Sequence, residues 1–261
     1  TGDLGTSTNT MMGGGVLTAA FAAGGRAGDN VTAVSQTFDG SSWTTGNNIN
    51  TGRRYGGGTG TTTFGLIFGG ASSGGGTTPV AITEAYDGTS WTEVGDLGAA
   101  RSATIGGAGT GSLALSFGGG PVVTTTEEWD FTSTLAAGAW ASGGNLNNAK
   151  WKMAGAGIQT AAIIAGGQRP PGSVVEAETY DGSSWTEVGD INTARRGLPG
   201  VGTQTAAMII GGFPGAKTEV EQYNGTSWTE VADLTVGRQW GAAAGTQTAA
   251  LYWSGYTHPA A

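Results

Sequence analysis

The sequence lacks cysteine altogether and contains a single histidine, His258. Without cysteine the chain has no disulfide and no thiolate metal site. A histidine-based nucleophilic triad would depend entirely on His258, which lies in the terminal THPAA. The sequence contains no run of about 20 apolar residues and no charged-then-apolar leader, so neither a membrane span nor a signal peptide is predicted within it.

Charge is also scarce, because only 11% of the 261 residues are charged. The 19 Asp and Glu outnumber the 11 Lys and Arg and give a net charge of −8, which disfavours a nucleic-acid backbone or an anionic membrane as the partner. Helix signals are nearly absent, whereas 52 Gly and 38% hydrophobic residues are typical of many short strands and turns. The composition therefore predicts an all-β fold.

One short segment recurs along the chain. Residues 83–97 read TEAYDGTSWTEVGDL, residues 177–191 read AETYDGSSWTEVGDI, residues 220–234 read VEQYNGTSWTEVADL, and residues 35–49 carry a worn copy, SQTFDGSSWTTGNNI. An Asp-Gly pair after an apolar strand suits a tight turn that needs positive φ, and the following Ser-Trp-Thr starts a return strand. Each copy therefore predicts a β-hairpin.

Three repeated marks set the period of the chain. Gly-Gly pairs stand at 24–25, 69–70, 118–119, 166–167 and 211–212, with Ser254-Gly255 as a degenerate sixth. The tryptophan mark falls at Trp43, Trp91, Trp140, Trp185 and Trp228. A cation follows each tryptophan by ten residues, at Arg53, Arg101, Lys150, Arg195 and Arg238. Successive marks are 43 to 49 residues apart, a period that belongs to propeller blades.

The order of Gly-Gly, Tyr and Trp resembles the kelch repeat over essentially the whole chain. The low Lys content and the abundance of Thr, Ala and Gly also resemble the kelch-like arrays of phage and other virion-associated proteins. The resemblance implies a kelch-like β-propeller. The third unit departs from it, because EEWDFTSTLAAGAW has Trp129 in place of Tyr and stretches the Tyr-to-Trp spacing from 5 to 11 residues.

The marks predict one propeller domain over residues 1–261, with six blades of which the last is incomplete. The predicted blades are 7–47, 53–95, 101–143, 149–189, 195–232 and 238–255. The alternative is five blades plus a spare hairpin, because only five copies of the outer hairpin occur. An open edge strand invites pairing, so we expect residues 248–255 to pair with a segment before Thr1 in a longer precursor, or with a neighbouring chain.

The repeated tryptophans are predicted to pack between blades, and the repeated cations to pair with a neighbouring Asp or a backbone carbonyl. A galactose-oxidase-like resemblance would imply copper held by two His and a Cys-linked Tyr, which this composition excludes. A sialidase-like site would need an asymmetric arginine cluster, whereas these arginines recur by symmetry. Glu127 and Glu128 are adjacent on a strand and face opposite ways. We predict no enzymatic activity, no metal and no cofactor.

The best binding candidates are the residues that break the symmetry on one face. In a four-stranded blade the loop after the second strand shares a face with the connection between blades. Tyr55, Trp151 and Trp240 follow the cations there, and Arg169 lies on such a loop. We predict a non-enzymatic interaction or structural propeller, extracellular or on a virion surface, with other protein subunits and a surface glycan as partners. The alternative is a glycan-acting propeller enzyme, sialidase-like or another hydrolase or lyase.

Overall fold

The computed structural model describes residues 3–5, 7–73, 78–102, 106–131 and 138–257. Every regular element in these ranges is a β-strand, so the predicted all-β fold is confirmed. Five four-stranded antiparallel sheets follow one another along the chain. A two-stranded hairpin comes after the fifth.

The first three sheets, blades 1 to 3, have their strands in chain order from the inside outwards. Blade 1 also carries a two-stranded ribbon in the loop between its second and third strands. The strands are β1 (Met12–Val16), β2 (Ala19–Ala23), the ribbon β3 (Arg26–Ala27) and β4 (Asn30–Val31), β5 (Ser35–Phe38), β6 (Trp43–Thr45), β7 (Gly57–Gly60), β8 (Gly65–Phe68), β9 (Thr83–Tyr86), β10 (Trp91–Glu93), β11 (Gly106–Gly109), β12 (Leu113–Phe117), β13 (Thr126–Asp130) and β14 (Ala139–Ser142).

Blades 4 and 5 repeat this order, and the last two strands form the terminal hairpin. Blade 4 has its own loop ribbon, as blade 1 does. The strands are β15 (Ala154–Ile158), β16 (Ala161–Ala165), the ribbon β17 (Gln168–Arg169) and β18 (Gly172–Ser173), β19 (Ala177–Tyr180), β20 (Trp185–Val188), β21 (Gly200–Thr203), β22 (Ala206–Ile210), β23 (Val220–Tyr223), β24 (Trp228–Glu230), β25 (Gln239–Thr246) and β26 (Ala249–Tyr256).

The sheets form a β-propeller around a central channel. Its wall is the first strand of each unit, and each of these strands contacts the next, in the order β1, β7, β11, β15, β21 and β25. The terminal hairpin stands between blades 5 and 1, because β25 contacts both β21 and β1. Five sheets have four strands, so the alternative prediction of five blades plus a spare hairpin matches the structure. The prediction of six blades is not confirmed, because no outer strand pairs with β26 among the described residues.

Close approach of the channel strands explains much of the glycine content. A methyl group on Gly58 would lie 2.7 Å from the backbone nitrogen of Gly13, and one on Gly200 would lie 2.8 Å from the carbonyl oxygen of Gly155. Both distances are shorter than a carbon atom tolerates, so neighbouring channel strands fit only without side chains at these positions. Glycine here is a packing requirement of the ring.

The hydrophobic core lies between blades rather than within any one of them. One buried cluster joins Leu115 and Phe117 of blade 3 to Ile164, Tyr180 and Trp185 of blade 4. Within each outer hairpin the Tyr and Trp marks are cross-strand partners, as in Tyr180↔Trp185. Trp129↔Trp140 keeps the same pairing in blade 3 despite its longer connection. One blade cannot bury its face alone, which is why the marks recur.

Four of the junctions between blades each contain a buried ion pair. The cation that precedes each blade meets a glutamate on the third strand of that blade. The pairs are Arg53–Glu84, Arg101–Glu127, Lys150–Glu178 and Arg195–Glu221. The sequence prediction of an Asp partner is wrong, whereas the predicted carbonyl contacts occur, as in the bond from Arg53 Nε to the Gly69 oxygen at 3.0 Å. The partner is a glutamate because that residue lies in register with the cation, on the third strand of the same blade.

Candidate ligand site at the mouth of the central channel

Two kinds of connecting segment meet on one face of the propeller. The residue after each cation forms a β-bridge with the residue after a Gly-Gly pair, and this occurs in blades 2 to 5. The bridges are Arg54↔Ala71, Ser102↔Gly120, Trp151↔Gln168 and Arg196↔Phe213. The loops after the second strands and the connections between blades therefore share a rim, as the up-and-down strand order requires.

Residues whose backbone adopts the left-handed conformation surround the channel mouth on this rim. The residue two places after each cation, or after its blade 1 equivalent Thr8, has φ close to +60°: Thr10, Tyr55, Lys152, Gly197 and Trp240. Their backbones are linked in series, because Gly197 N–H donates to the Lys152 oxygen and Trp240 N–H donates to the Gly197 oxygen, both at 2.8 Å. The equivalent Ala103 lies outside the described residues.

This conformation is natural for Gly197 and unfavourable for the other four residues. A non-glycine side chain in the left-handed region costs roughly 1–2 kcal/mol. Strained backbone of this kind persists where the surrounding structure enforces it, and it concentrates at binding sites. Here the series of backbone hydrogen bonds between the described members enforces it and sets Tyr55 and Trp240 at the mouth.

Tyr55 and Trp240 line a pocket of about 110 Å³ at the mouth. Their ring centroids are 6.5 Å apart in an edge-to-face arrangement, and Met11 and Met153 add further apolar wall. The opposite end of the channel has a pocket of about 120 Å³ whose described lining is Gly, Ala, Thr and Val only. Among the described residues that line the two ends of the channel, aromatic side chains therefore occur only on the loop-rich face.

Three cations accompany the aromatic rings. Lys152 Nζ lies 4.2 Å from the ring centroid of Trp151 and 5.2 Å from that of Trp240. The guanidinium carbon of Arg54 lies 4.6 Å from the Tyr55 centroid, and that of Arg196 lies 4.3 Å from the Phe213 centroid. Contacts of this length are cation–π interactions, so the rim combines aromatic faces with positive charge.

Two of these cations donate hydrogen bonds to neutral acceptors. Lys152 Nζ donates to Gln168 Oε1 at 3.1 Å, and Arg196 Nη1 donates to Ser173 Oγ at 3.0 Å. None of the three forms an ion pair within the described ranges, and every Asp and Glu of the sequence lies inside those ranges. Burial lowers the pKa of Lys152 below its ordinary value, and the positive charge of Arg196 lowers it further.

The structure brings together some of the residues that the sequence suggested. Tyr55 and Trp240 meet at the mouth. Trp151 is linked to them because Lys152 Nζ lies over the rings of both Trp151 and Trp240. Arg169 lies apart on the neighbouring loop ribbon, where it pairs with Glu176. Lys152 and Arg196 were missed, although both are visible as a second cation within two residues of Lys150 and Arg195.

The repeated tryptophans lie between blades instead of on the rim. Trp91, Trp185 and Trp228 are buried, whereas Trp43 and Trp140 are partly buried. Three of the indole nitrogens donate to a hydroxyl on the third strand of the preceding blade: Trp91 to Ser35, Trp140 to Thr83 and Trp185 to Thr126. These contacts leave their ring faces inside the structure.

Acidic and metal-ligating groups show no catalytic cluster in the part of the chain that is described. Groups of three or more His, Asp or Glu that could hold a metal do not occur there. Glu127 pairs with Arg101, while Glu128 accepts a hydrogen bond from Tyr180 on the other side of the strand. His258 lies outside the described residues. No described segment is a helix of the length and apolarity needed to span a membrane.

Comparison with known proteins adds no assignment. No family model matches the chain, and no curated protein matches it. The fold and the geometry of the channel mouth therefore carry the functional conclusion.

Proposed function

We propose that this protein is a non-enzymatic interaction propeller that binds an acidic surface glycan at the mouth of its central channel. The observation that carries the proposal is the meeting of Tyr55, Trp240 and Lys152 on the loop-rich face, with cations that form no ion pair within the described residues. A protein of net charge −8 that keeps free cations at one mouth favours a ligand carrying negative charge.

The chemistry of the mouth suits a charged sugar. The flat rings of Trp240 and Tyr55 offer apolar faces against which a pyranose ring stacks, and a few placed polar groups then fix orientation. Lys152 and Arg196 provide donors for a carboxylate or sulfate group, and charge-assisted hydrogen bonds are the strong ones. Partial burial of Lys152 strengthens its attraction to an anion because less water screens it.

The setting that we propose is the exterior of a virion or of a cell-surface assembly. The repeats resemble the kelch-like arrays of virion-associated proteins, and a rigid ring with variable loops on one face suits display to the surroundings. Other protein subunits of the same assembly would hold the opposite face or the outer edges. The propeller fold by itself is shared by many functions, so the site and not the fold supports this proposal.

A glycan array with sulfated, sialylated, uronic and neutral oligosaccharides tests the proposal. We expect acidic glycans to bind and the binding to weaken as salt is raised. Trp240→Gly should weaken binding at least about tenfold, which corresponds to about 1.4 kcal/mol. Glycine is suited to this backbone, because Gly197 occupies the equivalent place in the ring.

Lys152→Gln should reduce binding of acidic glycans and leave any neutral-glycan binding unchanged. Lys217→Gln is the matched control, because Lys217 lies on the loop between β22 and β23 and is already paired with Glu219 at 2.9 Å. Equal losses in the two lysine variants would contradict the proposed site. Release of a shortened sugar from a bound glycan would instead support the enzymatic alternative.

A further inference from the structure

Each complete junction between blades focuses several donors on one carboxylate. At the junction before blade 5, Glu221 accepts Arg195 Nη2 at 2.8 Å, Asn192 N–H at 2.8 Å and Asn192 Nδ2 at 2.7 Å. The same set occurs before blades 2 and 4, where Glu84 and Glu178 are the acceptors. The third strand of the following blade supplies the acceptor each time.

The junction before the terminal hairpin has the donors and no such acceptor. Arg238 stands at the place of Arg195, and Thr235 stands at the place of Asn192. Arg238 Nη1 donates to the backbone oxygen of Ser254 at 3.1 Å, but within the described residues it pairs with no carboxylate. The Thr235 amide likewise donates to no acceptor in those ranges. The arrangement therefore lacks one glutamate.

The contact between the terminal hairpin and blade 1 also has a hydrogen-bond donor without an acceptor. The indole nitrogens of Trp91, Trp140 and Trp185 donate to a Ser or Thr that immediately precedes the acceptor position on the preceding blade. The unit that precedes blade 1 in the ring is the terminal hairpin. The indole of Trp43, the equivalent residue in blade 1, has no acceptor among the described residues, and its ring lies 5.4 Å from that of Trp253. The indole nitrogen of Trp228 also lacks an acceptor there, but in that case the preceding blade is complete and has Ala177 at the equivalent place.

No strand among the described residues pairs with the outer edge of β26, where the other blades continue with a third strand. In blade 5 the next strand pairs through Ile209↔Glu221, and the inner-pair registers Gly200↔Ile209 and Ala243↔Tyr252 make Tyr252 the equivalent of Ile209. Tyr252 and Ser254 are only partly buried, whereas Ile209 and Gly211 are buried. A strand placed on this edge would set its glutamate opposite Tyr252.

We propose that this edge is a binding site for a β-hairpin whose first strand carries Thr-Glu and whose turn and return strand read Tyr-Asp-Gly-x-Ser-Trp. The hairpin adds to β26 by antiparallel strand pairing. Its glutamate accepts from Arg238 and Thr235, and its threonine accepts from the Trp43 indole. Charge complementarity at Arg238 and the two unmatched donors identify this occupant, and the site is separate from the channel mouth.

A synthetic peptide with the sequence of residues 80–95, VAITEAYDGTSWTEVG, is the probe. Hydrogen–deuterium exchange of the chain is measured with and without it, and we expect slower exchange of the β26 amides. The Glu84→Gln peptide should bind at least about tenfold more weakly, since it lacks the charge-assisted bonds. On the Arg238→Gln chain the two peptides should bind equally, because the paired charge is gone.

A tethered version keeps the test decisive if the free peptide binds too weakly to detect. Fusing the same segment after Ala261 places its glutamate 11 residues after Gly255, the spacing of Gly25 to Gln36 and of Gly167 to Glu178. We expect β26 protection in this fusion and less in its Glu84→Gln form. Unprotected β26 in the fusion, or equal protection in both forms, would overturn the proposal. Protection in the chain alone that grows with its concentration would also overturn it, in favour of a second copy as occupant.

Discussion

Single carboxylates organise the tight turns of the outer hairpins. Asp39, Asp87 and Asp181 each accept backbone N–H groups from the two residues before the tryptophan mark, as in the 2.8 Å bond from Ser184 N to Asp181 Oδ1. These bonds favour the ionised form, and they lower the pKa of Asp39 and Asp181 to about 2, with the Ser42 and Ser184 amides as the largest causes. The pKa of Asp87 is lowered in the same way.

A loss of stability in acid follows from these turns. The ordinary pKa is 3.8, so below about pH 4 the unfolded chain binds protons before the folded chain does. The free energy of unfolding should therefore be fully supported above that pH and should fall as the pH approaches 2. Urea unfolding measured from pH 5 to pH 2 checks this.

Blade 5 supplies the control for the acid prediction. Asn224 occupies the same turn position and accepts Thr226 N and Ser227 N at 2.9 Å without titrating. The triple variant Asp39→Asn, Asp87→Asn and Asp181→Asn should keep the turns and show a shallower fall between pH 4 and pH 2. An unchanged slope would show that other groups govern the acid response.

Neighbouring elements are held in register by the buried pairs between a junction and the next third strand. The side chains of Lys150 and Glu178 are 0% and 1% exposed, and their charged atoms are 2.8 Å apart. Removing one charge from such a pair leaves the other buried without compensation, at a cost of about 3–5 kcal/mol. The pair thus holds β19, the third strand of blade 4, in register with the connection that precedes this blade.

Glu178→Gln should lower the free energy of unfolding by about that amount, as measured by urea denaturation at neutral pH. The double variant Lys150→Met with Glu178→Gln should lose less, since no unpaired charge remains. Blade 1 shows that a neutral version is compatible with the fold, because Thr8 and Gln36 occupy the two positions and Gly5 N–H donates to Gln36 Oε1 at 3.2 Å. A lower free energy of unfolding in the double variant than in the single variant would contradict this account of the junction.

At the level of elements the sequence was most informative where local chemistry dictates geometry. The Asp-Gly turns and the Tyr and Trp marks located the outer hairpins because a tight turn needs positive φ and a cross-strand pair needs fixed spacing. The glutamate partners of the cations were missed because they lie 26 to 31 residues further on, as in Arg195–Glu221 and Arg53–Glu84. Their position two residues before the Tyr mark in TEAY, AETY and VEQY is a signal that a search could use.

At the level of the whole molecule, near-repetition builds the ring and departures from it build the candidate site. Six inner strands surround the channel, but the outer strands of only five units occur among the described residues. The repeat count alone did not distinguish an incomplete blade from a spare hairpin. The sequence also did not show that Tyr55 and Trp240 share a strained backbone conformation, because that conformation arises from hydrogen bonds between blades.

The central claim is that the asymmetric channel mouth, and not the symmetric tryptophans between blades, holds the ligand. A crystal structure of the protein with an acidic oligosaccharide selected on the array tests it most directly. The account predicts an intact sugar against Trp240 and Tyr55, with its anionic group within hydrogen-bonding distance of Lys152 Nζ. A sugar bound at the hairpin turns or between blades, or a cleaved sugar, would contradict the claim.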